Sequence, residues 1–374
     1  MSAQAAIRQE ERDESYYLAS QWQLMWRKFR RHRLALVGMS IIAVLYFIAL
    51  FPEFLSTSDY QLRHSGYAKA PPHTIYFLDD DGVFHFPPFV YEMKQTLDME
   101  TLQRIYNEER DQRYPLRFFT RGDPWKILGL IETDIHLVNV DKPGVVFFFG
   151  TDEFGRDMFS RTMQAARISL SIGFIGVVIS FVLGCLIGGI SGYYGGIIDV
   201  FIQRVIEFLI SIPHIPLWIA LAAALPANWS STQVYFGITI ILSILSWPNL
   251  ARIVRGKLLE LREADFVMAA RISNMNDFDI IVKHLLPSFA SFLIVALSLS
   301  VPFMIISETA LSFLQIGIRP PAVSWGVLLQ GAQNIRALSQ SPWLLIPGIF
   351  VIITVLSFNY VGDALRDAAD PYKQ

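Results

Sequence analysis

Six apolar runs, each about as long as a bilayer is thick, constrain this 374-residue chain more than any other feature. A spanning helix needs roughly 20 apolar residues. Residues 34–55, 168–192, 201–226, 235–254, 288–315 and 342–362 meet that length. In hydrocarbon each backbone N–H and C=O must be satisfied within its own segment, so such runs fold as helices. Composition agrees: 53% hydrophobic and 17% charged residues are not the balance of an ordinary soluble domain. Two runs are impure. The third carries Arg204 and Glu207 near its start and Pro213 and Pro216 inside it, and the fifth carries Pro302 and Glu308. A net charge of −2 offers nucleic acid no footing. The single cysteine, Cys185, excludes a disulfide framework, a Cys-rich zinc site and an iron–sulfur cluster. The charged N-terminus and the lack of a small-residue cleavage site after the first run read as a retained first span.

Orientation follows from the short loops. "WRKFRRHR" (26–33) precedes the first span, and the 252–285 loop holds Arg252, Arg255, Lys257, Arg262, Arg271 and Lys283. The opposite short loops carry no Lys or Arg in 227–234 and only Arg319 and Arg336 in 316–341. Positive charge is retained on the cytoplasmic side, so six spans place both termini there; the long 56–167 segment does not count against this. The chain then divides into a cytoplasmic arm (1–33), a first transmembrane helix (34–55), an extracytoplasmic insert (56–149) and a core (150–374). In the arm, Trp22, Trp26 and Phe29 stand at helical spacing, which reads either as a helix on the inner leaflet or as a plain charged anchor.

The insert reads as a small α+β unit. "YFLDDDGVFHFPPF" (76–89) predicts a hairpin turning at Asp81-Gly82. Residues 93–112 have helical periodicity, and 129–138 and 145–150 look like strands. Its aromatic residues, among them Tyr76, Phe77, Phe84, Phe86, Phe89, Tyr91 and Trp125, are numerous enough for a small core. The Asp79-Asp80-Asp81 run lacks the Glu that an EF-hand needs at position 12, so it reads as a solvated turn and no metal site is expected.

The polar stretch "READFVMAARISNMNDFDIIVKHLLPS" (262–288) lies between two apolar runs. Phe266, Val267, Ala269, Ala270 and Ile272 cluster on one side of a helix. Asn274 suits a left-handed helix stop, and Asn276 then offers a cap with Asp279 three residues on. A second helix is expected with Phe278, Ile281, Val282 and Leu285 on one face, and Pro287 suits the first turn of the next span. The result is two short helices at an angle on the cytoplasmic face, whose Ala269-Ala270 surface admits a close partner.

This stretch resembles the EAA loop (about 258–287 here) of ABC importer permeases, in the form of the dipeptide/oligopeptide subfamily. "AAR" (269–271) and "HLLP" (284–287) stand at that family's spacing, with Asn274 for the usual Gly and Met268 for the Glu of the name. "GTDEFGRDMFSRTMQAARISLSIG" (150–173), "SGYYGGIIDVFIQRVIEFLISIP" (191–213), "SWPNLARIVRGKLLELREADFV" (246–267), "SETALSFLQIGIRPPAVSWGVLL" (307–329) and "NYVGDALRDAADP" (359–371) resemble the same family. The insert does not match its compact members. The resemblance implies an all-α membrane protein of six transmembrane helices with the type I ABC importer permease fold, carrying the α+β insert between the first two. It implies one permease subunit of an ATP-driven importer in the bacterial inner membrane, for oligopeptides or for another solute such as an oligosaccharide or a nickel chelate. The partners it implies are a second homologous permease, two ABC ATPase subunits, an extracytoplasmic solute-binding protein and membrane lipid. Coupling to the ATPase falls to Asp265, Ala269, Ala270, Arg271, Asn274, Asp277 and Pro287.

Other charged clusters carry weaker chemistry. Asp152, Glu153, Arg156 and Asp157 lack a nucleophile–base pair, so Asp152 is expected to cap a helix and Arg156 and Arg167 to pair locally; no catalytic residue is expected. Asp199, Arg204 and Glu207 are expected to pair along one helix. Glu207, Pro213, Trp247 and Glu308 are the candidates for a translocation path or gate. No GxxxxGK[ST] loop occurs, so the chain itself holds no cofactor, and ATP and Mg belong to partner subunits. The rival from another class is a secondary transporter driven by an ion gradient.

Overall fold

The computed structural model describes residues 21–100, 104–127 and 130–369. Its helical part comprises α1 (Gln21–Phe29), α2 (Arg33–Leu50), α3 (Met158–Tyr194), α4 (Gly196–Ser211), α5 (His214–Ala223), α6 (Ser231–Leu261), α7 (Asp265–Ile272), α8 (Ala290–Phe313) and α9 (Ile346–Ala369). Among the described residues, five helical segments are individually long and apolar enough to cross a membrane, α9 counted with the turn that precedes it from Pro342. The third apolar run differs from the single span expected: α4 and α5 meet at an angle of 88°. Pro213 has no N–H to continue a helix and pushes the residue before it out of the α region, and Ile212 is accordingly extended (φ −89°, ψ 129°). Pro216 falls in the first turn of α5, where a missing N–H costs nothing.

Small residues set the closest helix contact. Gly184, Gly188 and Gly192 repeat every four residues along α3 and lie against α6. A Cβ on Gly188 would stand 2.5 Å from the Ala251 carbonyl oxygen, and one on Gly192 would stand 2.8 Å from that of Arg255. Where lipid tails are as apolar as leucine, this close backbone approach is what drives association. The main apolar core gathers around α3, α6 and α8, with Leu170, Ile172, Ile238, Leu242, Ile305 and Trp325 fully buried.

The N-terminal helix does not present all of its apolar face to lipid. Phe29 and Met25 are buried against Ala35, Val361, Ala364 and Ala368, while Trp26 stays exposed. The start of α2 and the end of α9 therefore share one end of the bundle. The 56–149 segment leaves from the other.

That segment is a four-stranded antiparallel meander: β1 (Tyr76–Leu78), β2 (Phe84–Leu97), β3 (Arg104–Ile127) and β4 (Ile131–Val140). The hairpin at Asp81-Gly82 forms as expected, with Gly82 at φ +77°. Two expectations fail. The helix over 93–112 is instead the paired ends of β2 and β3, Met93 facing Glu108 and Leu97 facing Arg104, so the unit is a sheet rather than α+β among the described residues. Residues 145–150 form no strand; Val146 and Phe147 are buried as irregular chain packed beneath the sheet. The core of this unit is Val90, Leu116, Val140 and Val146. Phe89 and Tyr91 are buried, yet Phe77, Phe84, Phe86, Phe118 and Phe119 are exposed. Asp79 closes the hairpin as a solvated turn. His85, the Val83 N–H and Arg113 hold its carboxyl down at about 2. No cluster of metal-ligating side chains occurs among the described residues.

Candidate functional site

The 262–288 stretch lies at the end of α3 remote from the sheet. With about 1.5 Å of rise per residue, the 37 residues of α3 separate the two by roughly 55 Å. α7 begins with Asp265 in its first turn and ends with Arg271 in its last, both favourable to the helix dipole. It stops as the sequence predicts. Asn274 is left-handed at φ +56°, its N–H donates to the Arg271 carbonyl at 3.0 Å, and the Met275 N–H donates to the Ala270 carbonyl at 3.2 Å. These two bonds are the Schellman closure, which needs one residue at positive φ. Asn276 then accepts from the Phe278 N–H, but Asp279 does not return the bond, so no capping box forms.

The second segment differs from the α-helix expected. After one turn (Asp277–Asp279) the chain widens to a π-helix over Ile280–Leu285, and Leu286–Ser288 closes it. The Leu286 N–H reaches the Ile281 carbonyl, five residues back. A wider turn puts positions four and five apart on one face. Ile280, Ile281 and Leu285 are therefore buried, and Phe278 is left exposed. Pro287 sits exposed in the closing turn, two residues before the break at Phe289, and so outside the first turn of α8 that the sequence predicts for it.

The faces of α7 also need correction. Val267 and Ala270 pack into the chain's own cluster with Val254, Leu258, Ile280 and Leu285. Ala270 is thus unavailable to a partner. Phe266, Met268, Ala269 and Ile272 face outward, Ile272 at 85% exposure. Together with Phe278 they make an apolar surface beside Asn274. Tyr193, which sequence reasoning missed, pins this surface to α3. Its hydroxyl donates to Asp277 Oδ1 at 2.7 Å and accepts from Arg271 Nε at 3.2 Å, and the Arg271 guanidinium lies 4.9 Å from the ring centroid. The "YYGG" of the sequence was the available signal. Arg271 and Asp277 thus meet on Tyr193 beside the Asn274 turn, with exposed Ala269 in the last turn of α7. Asp265 lies at the opposite end of α7, and Pro287 lies beyond the π-helix.

The candidate path residues are not brought together. Arg204 and Glu207 pair at 2.7 Å on exposed α4, as expected, but Asp199 turns away from them to Ser191 and the Arg255 guanidinium of α6. Trp247 is buried with Ile206 and Ala251. Glu308 is fully buried, accepting from Ser312 at 2.7 Å and Ser169 at 3.2 Å. A cavity of about 270 Å³ instead opens between α3, α5, α6 and α8, beside Pro213; His214, Trp218, Ser246, Asn249, Ser300 and Phe303 line part of it. None of Glu207, Trp247 and Glu308 does so.

On the far side, "GTDEFGRD" is a structural knot. The cap of α3 is Asp157 rather than Asp152: buried, it accepts from the Phe159 and Ser160 N–H groups and from Thr57 Oγ1 at 2.9 Å, which ties the exit of α2 to the start of α3. Asp152 closes the preceding loop through the Phe154 and Arg156 N–H groups and pairs with Arg156 at 2.7 Å. Arg167 pairs not locally but with Glu53, at 2.6 Å.

The family described as "Binding-protein-dependent transport system inner membrane component" matches residues 180–373, which includes the whole of the 262–288 stretch. The chain belongs to that family. It is accordingly a multi-pass inner-membrane subunit of a transport system. A second match, to the "N-terminal TM domain of oligopeptide transport permease C", covers residues 20–72. The oligopeptide transport system permease protein OppC of Bacillus subtilis is 38% identical over 63% of this chain and 75% of its own. The dipeptide permease DppC of the same species is 39% identical over 61% and 70%. OppC of Haemophilus influenzae is 42% identical over 60% and 70%. Among solved structures, an inward-facing form of the MetNI methionine ABC transporter aligns at 19% identity with a TM-score of 0.44, over 56% of this chain and 97% of that one. Residues 73–179, which hold the sheet, lie outside both family matches.

Proposed function

We propose that this chain is a peptide-importing permease: one of two homologous membrane subunits, driven through 262–288 by cytoplasmic ABC ATPases and fed by an extracytoplasmic solute-binding protein. The observation that carries the reading is the α7 turn, an apolar surface held rigid by Tyr193 and closed at Asn274, within a chain of the binding-protein-dependent family. A soluble partner that pulls on this surface moves α3, because Tyr193 belongs to α3 and its hydroxyl is shared between Asp277 and Arg271. Two states of the bundle, each favoured by a different nucleotide state of the partner, then couple hydrolysis to access. ATP and Mg are held by the ATPases, and this subunit does no chemistry.

Six spans are the proposed count, with α4 and α5 as one broken span. The cavity between α3, α5, α6 and α8 is the proposed wall of the path. Non-helical backbone at membrane depth is tolerated only where it lines protein or a water-filled cavity, and the Ile212-Pro213 break borders this one. The orientation follows the charge: "WRKFRRHR" and the 252–285 loop face the cytoplasm, and the sheet faces outward. Peptide is the proposed solute because the relatives that share the core are named oligopeptide and dipeptide permeases. Vesicles holding the assembled complex test the reading. Uptake of a labelled peptide should require ATP, the ATPase subunits and the binding protein together; uptake driven by a proton or sodium gradient without ATPase would refute it. Uptake of an oligosaccharide or a nickel chelate in place of peptide would keep the machinery and change the solute.

A further inference from the structure

The β3–β4 hairpin runs back alongside the exit of α2. Asn139 Nδ2 donates to the Thr57 carbonyl at 2.8 Å, and His136 Nδ1 meets the Ser56 carbonyl at 2.8 Å. Ile135 and Thr133 then share an apolar groove with Phe54, Phe51 and Phe47. As β4 is followed from 139 to 133, its neighbours pass from Thr57 to Ser56 and then to the groove it shares with Phe54, Phe51 and Phe47. Phe47 lies inside α2, about one turn before its end. The strand has therefore reached the depth of the spanning helix, and the hairpin extends past that point to Leu130 at about 3.3 Å per residue.

The hairpin is amphipathic in the alternation that a strand imposes. Trp125, Ile127, Ile131, Thr133 and Ile135 share the groove face, and Lys126, Glu132 and Asp134 share the other. Lys126 and Glu132 pair across the ladder at 2.9 Å. The Trp125 indole N–H donates to the Ile135 carbonyl at 3.1 Å, so the ring's polar edge is satisfied within the hairpin. Leu130 is 84% and Ile131 64% exposed. The groove, about 320 Å³, is almost wholly apolar and is continuous with the exposed Phe47 and Leu50 of α2.

We propose that this hairpin is a lipid-binding element: its apolar face dips into the bilayer leaflet where α2 emerges, and its groove takes a phospholipid acyl chain. The occupant follows from continuity with the surface of a spanning helix and from depth. At the level of Phe47 the medium beside α2 is hydrocarbon, which covers Leu130 and Ile131 at no cost, whereas water would leave a contiguous apolar face open. Tryptophan at the border of the buried face matches the preference of indole for the interface. The argument is independent of which side of the membrane the sheet occupies.

Fluorescence quenching tests it. The full chain carrying Cys185→Ser and Leu130→Cys is purified with the subunits it assembles with, labelled with a nitrobenzoxadiazole probe and reconstituted in phosphatidylcholine–phosphatidylglycerol vesicles. An otherwise identical chain with Asp80→Cys is the aqueous control. The Leu130 probe should be quenched severalfold more by nitroxide-bearing lipid than the Asp80 probe, and shielded from aqueous iodide. Iodide quenching equal to that of the control would overturn the proposal. So would shielding from both quenchers, which would show protein rather than lipid on this face. Should the Leu130→Cys chain fail to accumulate, Ile131→Cys is read against the same two outcomes.

Discussion

At Asn274 the backbone allows few side chains. At φ +56° a glycine sits without strain, asparagine nearly so, and a β-branched residue is a steric outlier. Asn274→Gly should leave thermal stability and transport unchanged or slightly raised. Asn274→Val should cost about 1–2 kcal/mol and loosen the turn. Equal transport by the two variants would mean that the bend has no part in coupling. The alanine pair separates folding from docking in the same way. Ala270 is buried among Val254, Leu258 and Leu285, so Ala270→Glu places a carboxyl without a partner in an apolar cluster, a loss of about 2 kcal/mol or more, and should lower the amount of folded protein. Ala269 is exposed, so Ala269→Glu should accumulate normally and lose ATP-driven uptake. Normal copurification of ATPase with full uptake by the Ala269→Glu chain would remove this face from the interface.

At the scale of elements, close backbone approach at the α3 glycines sets the packing of α3 on α6. Gly188→Ala puts a methyl against backbone atoms of Ala251 that no rotamer change can move, so it should lower the unfolding midpoint in detergent by an amount equivalent to about 1–3 kcal/mol. Gly256, also in α6, faces open space: a methyl there would meet no neighbouring atom within 4 Å. Gly256→Ala should therefore stabilise by about 0.4–1 kcal/mol through helix propensity. Loss of stability in both variants alike would show that the contact geometry is not what decides. The same elements show what was legible in the sequence. Apolar length marked the spans, because hydrocarbon leaves the backbone no alternative. Asn274 and Asp81-Gly82 were legible because left-handed conformation restricts residue type locally. The strand over 104–112 was not: Arg104, Glu108, Glu109 and Arg110 are good helix formers, and pairing with β2 overrides them through backbone bonds that carry no side-chain signature. Nor were Asp199–Arg255 and Glu53–Arg167, since partners 56 and 114 residues apart meet only once the helices have packed.

Across the whole molecule, the sheet and the α7 turn occupy opposite ends of α3, so they can meet different partners at once. The β1–β2 end of the sheet carries exposed Phe77, Leu78, Val83, Phe84 and Phe86, and Phe77 and Phe84 stack with centroids 6.2 Å apart. A soluble protein surface rarely leaves such a cluster uncovered, and the extracytoplasmic binding protein is the proposed partner for it. The sheet's position is checked first: in a Cys185→Ser background, Asp80→Cys should react with a membrane-impermeant maleimide on intact spheroplasts, and reaction only after lysis would reverse the proposed topology. The docking role is checked by removing Asp79–Val83. The turn is tied through Asp79 to His85 and Arg113 and through Asp80 to Arg110, all within the sheet, so its loss leaves the Val90, Leu116, Val140 and Val146 core in place. The shortened chain should therefore assemble with normal basal ATPase activity, while binding-protein affinity or peptide uptake falls. Unchanged uptake would make the sheet a passive cover packed on the permease pair. Lost basal ATPase would mean that the deletion damages the bundle itself, contrary to the separation that α3 imposes.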